Sequence, residues 1–333
     1  MTAIGTDAVT LHDWAARFGA KGEYVNQQIV EIQSKTNRLF EVLPYKQCND
    51  GQKEVVLLRG ELPEVAWRII NKGVKPGKSK SKQASFTCGG IEHLARVDEK
   101  LLKINGNDNN WRLSENIAAQ EAMGQKMATT FFYGDETVNP AGFTGLSSYY
   151  YSKANQDSLW ADQIIDAGGT GASLTSLWML GLGADTVYGI YPKGTAAGFE
   201  YKDNGRVKTY DSDGGEFYSY ESQYNWDMGL AIRDPRYVVR VANINTSALT
   251  SANCDAFIEN MIKAYNQIEN PAKASKLVIF ANRSVETYLD IVAEKKSNVR
   301  LTIDEYGGKK ITHFWGIPVL RCDAILNTES QLV

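Results

Sequence analysis

The stretch from Trp111 to Asp135, WRLSENIAAQEAMGQKMATTFFYGD, constrains this chain more than any other. It reads as one long helix. Leu113, Ile117, Met127, Ala128 and Phe131 fall on one face at helical spacing, and Gln120 and Gly124 complete the stripe. The asparagine cluster between Asn107 and Asn110 offers N-caps, because a short polar side chain can accept from the unpaired amides of a first turn. Gly134 suits the C′ position, where φ > 0 carries no Cβ clash. At 1.5 Å per residue the rod is roughly 35 Å long, well above the mean helix. Gly124 costs about 1 kcal/mol relative to Ala in mid-helix, so another backbone is expected to approach it. An ordinary core helix fits the same pattern, but a rod of this length can also carry a large flat subunit along its side.

The totals narrow what such a rod can serve. A chain of 333 residues suggests about two domains and is ample for a core. A net charge of −3 and a pI near 5.8 give no global basicity for direct, affinity-driven nucleic-acid binding. No run approaches the ~18–20 apolar residues of a membrane span. The opening MTAIGTDAVTLHDW lacks a basic segment followed by an apolar core, so no signal peptide is read. Cys48, Cys88, Cys254 and Cys322 form no CxxC pair and no visible disulfide or zinc framework. A reduced, cytosolic place of folding fits best, which leaves the sequons at Asn245 and Asn282 as chance matches. His12, His93 and His313 have no metal-ligand spacing and read as surface or satisfied histidines.

In chain order, residues 9–38 form a leading arm of two short amphipathic helices around Leu11, Trp14, Phe18, Tyr24, Val25, Ile29 and Ile32. Each is too short to stand alone and needs a surface to dock on. From Leu43 to Phe86, Asn49-Asp50-Gly51 is a hairpin turn signal, flanked by strand-like runs at Glu54–Arg59 and Val65–Ile70. KGVKPGKSKSKQAS follows, with lysines scattered among Gly, Ser and Pro, a composition that cannot bury enough apolar area to order itself. Residues 43–86 therefore read as a long extended hairpin, solvated in the isolated chain. Trp67 and the apolar runs argue that part of it is covered by something.

Residues 88–106 read as a short segment leading into the long helix. Beyond that helix lie a turn-rich exit with Phe143 and Leu146 as anchors, and then a buried strand pair in SLWMLGLGADTVYGIYP. From Trp178 to Ile244 the chain reads as β-rich, with turns at Asp203-Asn204-Gly205 and Asp211–Gly215. Tyr218, Tyr220, Tyr224 and Trp226 alternate with period two, the mark of one covered sheet face. From Ser251 a compact α/β unit follows: an amphipathic helix with Phe257, Met261, Ile262, Tyr265 and Ile268 on one side, ended by Pro271; the strand LVIFAN; a helix capped by Ser284; a hairpin around Gly307-Gly308; and a final strand.

Two motifs imitate chemistry. Gly168-Gly169-Thr170-Gly171 would cradle a phosphate if it joined a strand to a helix, but it lacks both the GxGxxG pattern and the GK[ST] ending, so a surface loop is read. Asp211, Asp213 and Glu216 suggest a calcium loop, but the remaining ligand pattern and distal glutamate are absent, and a tight hairpin turn is read instead. No nucleophile sits with a linked base, so no catalytic, cofactor-binding or metal-binding residue is assigned.

Several stretches carry a resemblance. They are LPEVAWRIINKGVKPGKSKSKQ, RLSENIAAQEAMGQKMATTFFYGDETVNPAGFTGL, IIDAGGTGASLTSLWMLGLGADTVYGIYPKG, MGLAIRDPRYVVRVANI and the ending FWGIPVLRCDAILNTE. Their order and spacing, from about Trp14 to Glu329, resemble the major capsid proteins of tailed bacteriophages, whose shell fold is shared with herpesvirus capsids and encapsulins. The resemblance implies an α+β fold divided into an N-arm (1–42), an E-loop (43–86), a P-domain with its spine helix (87–250, helix 111–133, with β-rich insertions), an A-domain (251–312) and a closing P-domain strand with the C-terminus (313–333). It implies a non-enzymatic structural subunit that assembles with itself, as hexamers and pentamers, into an icosahedral head around double-stranded DNA. The place implied is the virion, after assembly in the bacterial host cytoplasm. Trp67, Arg68, Lys72, Lys75, Lys78, Lys80 and Lys82 would then contact a neighbour through the E-loop. Leu113, Ile117, Gly124, Met127 and Phe131 would mark the spine helix.

Some relatives carry a long scaffolding segment before the arm, where this chain has only about ten residues, which leaves scaffolding to a separate protein or to another mechanism; a portal and decoration proteins are also implied. Packaged DNA is held by enclosure with weak contacts, and no membrane is involved. Some relatives cross-link an E-loop lysine to a neighbour's asparagine; Lys75, Lys78, Lys80 or Lys82 could supply it, but with no asparagine or glutamate identifiable, non-covalent contact is expected. Three other readings stand beside this one. An encapsulin-like compartment would share the fold. A soluble α/β nucleotide-binding enzyme would use Gly168 to Gly171. A surface adhesin would suit the tyrosines but lacks an export signal.

Overall fold

The computed structural model describes residues 37–104, 109–154, 158–211, 213–249, 254–294, 301–306 and 309–332. The helices expected in the leading arm, a cap at Asn107, and the turn at Gly307-Gly308 lie outside the described residues. The fold is mixed α+β. Its strands are β1 (Tyr45–Gln47), β2 (Lys53–Glu61), β3 (Lys80–Asp98), β4 (Ile164–Asp166), β5 (Leu174–Leu182), β6 (Val187–Tyr191), β7 (Gly198–Tyr210), β8 (Glu216–Ile232), β9 (Val238–Asn245), β10 (Lys276–Ala281), β11 (Leu301–Tyr306), β12 (Lys309–Phe314) and β13 (Ile317–Arg321). The main helices are α1 (Glu99–Ile104), α2 (Asn109–Tyr133), α3 (Cys254–Gln267) and α4 (Arg283–Glu294). The chain divides into two compact units. One holds the described parts of Gly90–Met127 and Gly198–Asp227, the other those of Lys35–Gly89, Ala128–Ala197 and Met228–Val333.

The larger unit is organised on β5, LTSLWMLGL, in which every residue is buried. A strand buried on both faces needs apolar side chains in both directions, which this near-continuous run provides. It pairs antiparallel with β9 and with β10, while β10 runs parallel to β13. Phe132, at the end of the long helix, packs 6.1 Å from the Trp178 ring and 6.3 Å from Phe280. Phe257 and Met261 of α3, and Val285 and Leu289 of α4, are also buried. The cap of α4 is Asn282, whose Oδ1 accepts from the Val285 amide at 2.9 Å, and not Ser284 as read from the sequence. Both residues can cap; the helix begins two residues earlier than a Ser284 cap implies and selects the asparagine.

A buried polar knot ties this unit together. Arg240 of β9 donates through Nη2 to Glu329 (2.9 Å), through Nη1 to the Tyr150 carbonyl (2.7 Å) and through Nε to the Ser176 hydroxyl (3.0 Å). Its guanidinium lies 5.0 Å from the Trp178 ring centroid. Glu329 also accepts from the Tyr133 and Ser176 hydroxyls. Burial, then the neighbouring Glu329 charge, push the Tyr133 phenol far above its ordinary range, so it remains a donor.

The smaller unit is built on the antiparallel ribbon β7–β8, paired from Gly198↔Asp227 to Tyr210↔Glu216. Its tip is the tight turn expected at Asp211–Gly215, where Asp211 accepts from the amides of Asp213 and Gly215. Asp203-Asn204-Gly205 is not a turn. The ladder shifts register there and Gly205 sits at φ 70°, so the same residue chemistry makes a bulge inside one long strand. Of the alternating aromatics, Tyr224 and Trp226 are buried, Tyr220 is half-buried, and Tyr218 is exposed. Residues 88–98, expected as a linker, continue β3. Arg96 pairs with Glu221 at 2.6 Å and Arg206 with Glu99 at 2.9 Å.

The long helix runs from Asn109 to Tyr133 as expected, but its buried stripe differs. Ala119, Met123, Met127, Ala128, Phe131 and Phe132 are buried, whereas Ile117 is 53% exposed and Gln120 is exposed. Leu113 lies on the helix outside the residues whose side chains are described. Among the described residues a Cβ on Gly124 would meet nothing within 4 Å, so no described backbone approaches it, contrary to expectation. Gly134 does end the helix, but not through positive φ. A Cβ there would collide with the carbonyls of Phe143 and Thr130, because the returning chain closes on the helix end. These two glycines make opposite predictions for urea unfolding of the unassembled subunit. Gly124→Ala should raise stability by up to ~1 kcal/mol. Gly134→Ala should lower it by ~3 kcal/mol or more, since backbone must move.

Candidate functional site

The most unusual surface is the hairpin of β2 and β3. The ladder runs from Lys53↔Thr87 to Glu61↔Lys80. The turn at Asn49-Asp50-Gly51 lies before β2, where Asp50 and Lys53 form a bridge, with Gly51 at φ 55°. It therefore initiates the hairpin and does not cap it. Val65–Ile70, expected as a strand, carries no regular structure. The pairing partner of β2 is instead the lysine-bearing segment from Lys80, because backbone pairing needs amides and carbonyls and not apolar side chains.

Along β2 burial alternates, with Val56 and Leu58 buried and Leu57 exposed. Past the ladder, residues 62–79 form a long connection without strand, the length class that usually carries function. Within it Leu62, Val65, Ile69, Ile70 and Val74 are exposed, and Trp67 is 100% exposed. The Lys72 amide donates to the Ile69 carbonyl at 3.0 Å, Arg68 Nε donates to the Lys72 carbonyl, and Asn71 takes φ 66°. A Cβ on Gly77 would lie 2.9 Å from the Glu64 carbonyl oxygen, so the two limbs of the loop run close together. Trp67, Arg68, Lys72, Lys75 and Lys78 thus share one exposed tip, whereas Lys80 and Lys82 stand on β3 opposite Glu61 and Leu58.

The base is held by a residue that sequence reasoning missed. Glu54, 2% exposed, accepts from Lys46 Nζ at 2.8 Å, the Asn49 amide at 2.8 Å and the Tyr188 hydroxyl at 3.0 Å. Asn49 in turn exchanges two side-chain hydrogen bonds with the Val55 backbone. The only sequence signal was a carboxylate at the head of an apolar strand.

The remaining sequence candidates resolve simply. Gly168–Gly171 lies between β4 and β5, so it leads into a strand and not a helix N-terminus; the Gly168 amide donates to Asp166. His93 stacks on Tyr224 at 6.0 Å, His313 lies in β12, and His12 is outside the described residues. Among the described residues no group of three or more His, Cys, Asp or Glu is placed to hold a metal ion. No described helix is long and apolar enough to cross a membrane.

The family model for major capsid protein GP7 matches residues 20–333. A chain in the near-atomic structure of bacteriophage Epsilon15 is similar at 34% identity and TM-score 0.76, over 100% of this chain and 99% of that one. The capsid of bacteriophage JBD30 is similar in fold at 12% identity and TM-score 0.52, over 95% of this chain and 99% of that one. No curated protein sequence matches.

The Glu54 anchor predicts a pH dependence. Burial alone would raise its carboxyl pKa, but the hydrogen bonds from Lys46, Asn49 and Tyr188 outweigh it and hold the group below the ordinary glutamate value. A depressed carboxylate stabilises the folded state above its unfolded pKa, and that contribution is lost as pH falls through the folded value. Urea midpoints should therefore drop as pH is lowered below about 4.5. Glu54→Gln should cost about 1–3 kcal/mol at pH 7 and flatten that drop; an unchanged acid limb would disprove the assignment.

Proposed function

The chain belongs to the family of major capsid protein GP7, and from that premise we propose how its parts are used in assembly. It is a structural, shell-forming subunit of a bacteriophage capsid. The exposed hairpin tip is the limb by which one subunit grips the next. Trp67, Arg68, Lys72, Lys75 and Lys78 meet the neighbour at the tip, and Lys80 and Lys82 flank the contact from β3. The observation that carries this is the full exposure of Trp67 among five other exposed apolar residues on one loop. Soluble chains rarely present such a cluster unless a partner covers it. Burying one tryptophan removes roughly 150–250 Å² of surface from water, about 4–6 kcal/mol by area.

Closed point-group packing gives every tip the same receiving surface, so hexamers and pentamers repeat one contact. The long helix serves as the spine, with Met127 and Phe131 in its buried face and Leu113, Ile117 and Gly124 along its length. A separate scaffolding protein, a portal and decoration proteins complete the particle, which forms in the bacterial cytoplasm. Double-stranded DNA is held inside by enclosure, in keeping with a net charge of −3. An encapsulin-like compartment is the competing reading, and 34% identity to a phage capsid over the full chain favours the phage head.

Trp67→Ala tests the contact. Its side chain is fully exposed among the described residues, so stability of the unassembled subunit should stay within about 0.5 kcal/mol. The concentration needed for shells, followed by light scattering and negative-stain microscopy, should rise at least tenfold. Normal shells from this variant would reject the limb. Packaged double-stranded DNA in particles from infected cells would separate head from cargo compartment.

A further inference from the structure

Two cysteines that the sequence places forty residues apart meet at the base of the hairpin. Cys48 Sγ and Cys88 Sγ are 3.3 Å apart, and neither is in a disulfide. That is closer than the ~3.5–4.0 Å at which even smaller carbon atoms rest. The approach is held by backbone on both sides. The Cys48 amide donates to the Tyr191 carbonyl and the Cys88 amide to the Gln52 carbonyl, each at 3.0 Å. A disulfide needs about 2.05 Å between sulfurs, so about 1.2 Å of closure remains, within reach of side-chain rotation. The other two cysteines lie elsewhere. Cys254 opens α3, and Cys322, just after β13, is wholly buried, with its thiol pushed up to about 12 by that burial.

We propose that Cys48 and Cys88 are a redox-sensitive latch, thiols while the chain folds in a reducing cytosol and a disulfide once it meets an oxidising medium. The oxidant is a low-molecular-weight disulfide such as oxidised glutathione. Cys88 is the less buried of the two and reacts first: its thiolate displaces one glutathione thiolate and forms a mixed disulfide. Cys48, fully buried beside it, loses its proton and attacks the Cys88 sulfur, releasing the second glutathione thiolate. Two protein thiols become one disulfide, two electrons pass to the oxidant, and two glutathione thiols leave. Burial, with Glu54 nearby, raises the Cys48 thiol, which suits a resolving sulfur and not a leading nucleophile. The bond closes a ring that contains the whole hairpin, so the limb stays joined to β1 at its root even if its tip is cut.

The experiment uses the full chain, as unassembled subunit and as particles, incubated with oxidised glutathione and quenched with acid. Titratable thiols per denatured chain should fall from four to two, and peptide mapping should find the Cys48–Cys88 link. Brief proteolysis in residues 62–79 should give fragments that stay joined without reductant and separate with it. The unfolding temperature should rise by roughly 5 °C, reversed by dithiothreitol. Cys48→Ser should trap the glutathione adduct on Cys88; Cys88→Ser should abolish the link; the Cys254→Ser, Cys322→Ser double variant should retain it. Four persistent thiols, or a bond using any other cysteine or joining two chains, would overturn the latch. None of these readouts requires a shell, so the latch and the assembly reading stand or fall separately.

Discussion

The ion pair between Arg240 and Glu329 is the constraint around which the larger unit closes. Both side chains are almost fully buried, at 7% and 6% exposure. Taking two charges out of water costs several kcal/mol per ion, and their attraction offsets that only when the remaining donors and acceptors are also met. Here they are met by five different parts of the chain. β9 supplies Arg240, β5 supplies Ser176, the long helix supplies Tyr133, Tyr150 supplies a carbonyl, and the segment after β13 supplies Glu329. Removing either partner alone would leave a buried, uncompensated charge, which costs about 3–5 kcal/mol. The Tyr133 hydroxyl, which accepts from the Leu326 amide while donating to Glu329, fixes where the helix ends relative to β5 in this unit.

The root of the hairpin is tied to the same unit. Tyr188 of β6 and Lys46 of β1 reach Glu54, so the root of the limb is bonded to the same sheet that carries the knot. Buried polar satisfaction is concentrated at the root, and exposed apolar area is kept for the tip. The two ends of one hairpin thus follow opposite rules. At the root, an unpaired carboxylate would be costly, so every partner comes from the chain itself. At the tip, tryptophan, valine and isoleucine are exposed among the described residues, and water is a poor partner for them.

How much of this could be read in advance follows from how local each signal is. The long helix, the buried run of β5 and the two helices α3 and α4 were legible, because periodicity and unbroken apolar runs need only neighbouring residues. The stripe on the long helix was misjudged because Gln120 and Gly124 carry little apolar weight, and the packed face passes through Ala119 and Met123 instead. Asp203-Asn204-Gly205 was misread because turns and bulges ask for the same φ > 0 residue. β3 was illegible for a different reason. Its lysines, serines and glycines have little strand preference, and its order comes from the ladder with β2. The knot could not have been seen at all, since Arg240 and Glu329 are 89 residues apart and each alone reads as a surface charge.

The same contrast explains why the limb's chemistry is divided between apolar and basic residues. An apolar tip by itself would bind any exposed greasy surface, including another tip, and would aggregate. Arg68, Lys72, Lys75 and Lys78 are exposed on the same loop and outnumber its exposed Glu64, so two tips would repel each other while an acidic or carbonyl-lined surface would attract them. Solvent screens that repulsion over about 8–10 Å at ordinary salt, a range that covers one loop but not a whole subunit. On the proposed reading the positive tip would therefore select its partner at contact distance, whatever the net acidity of the chain. A limb bonded at its root, apolar at its end and basic around the end suits a surface of complementary shape and charge, and under that proposal a second copy of the chain presents it in a repeating way.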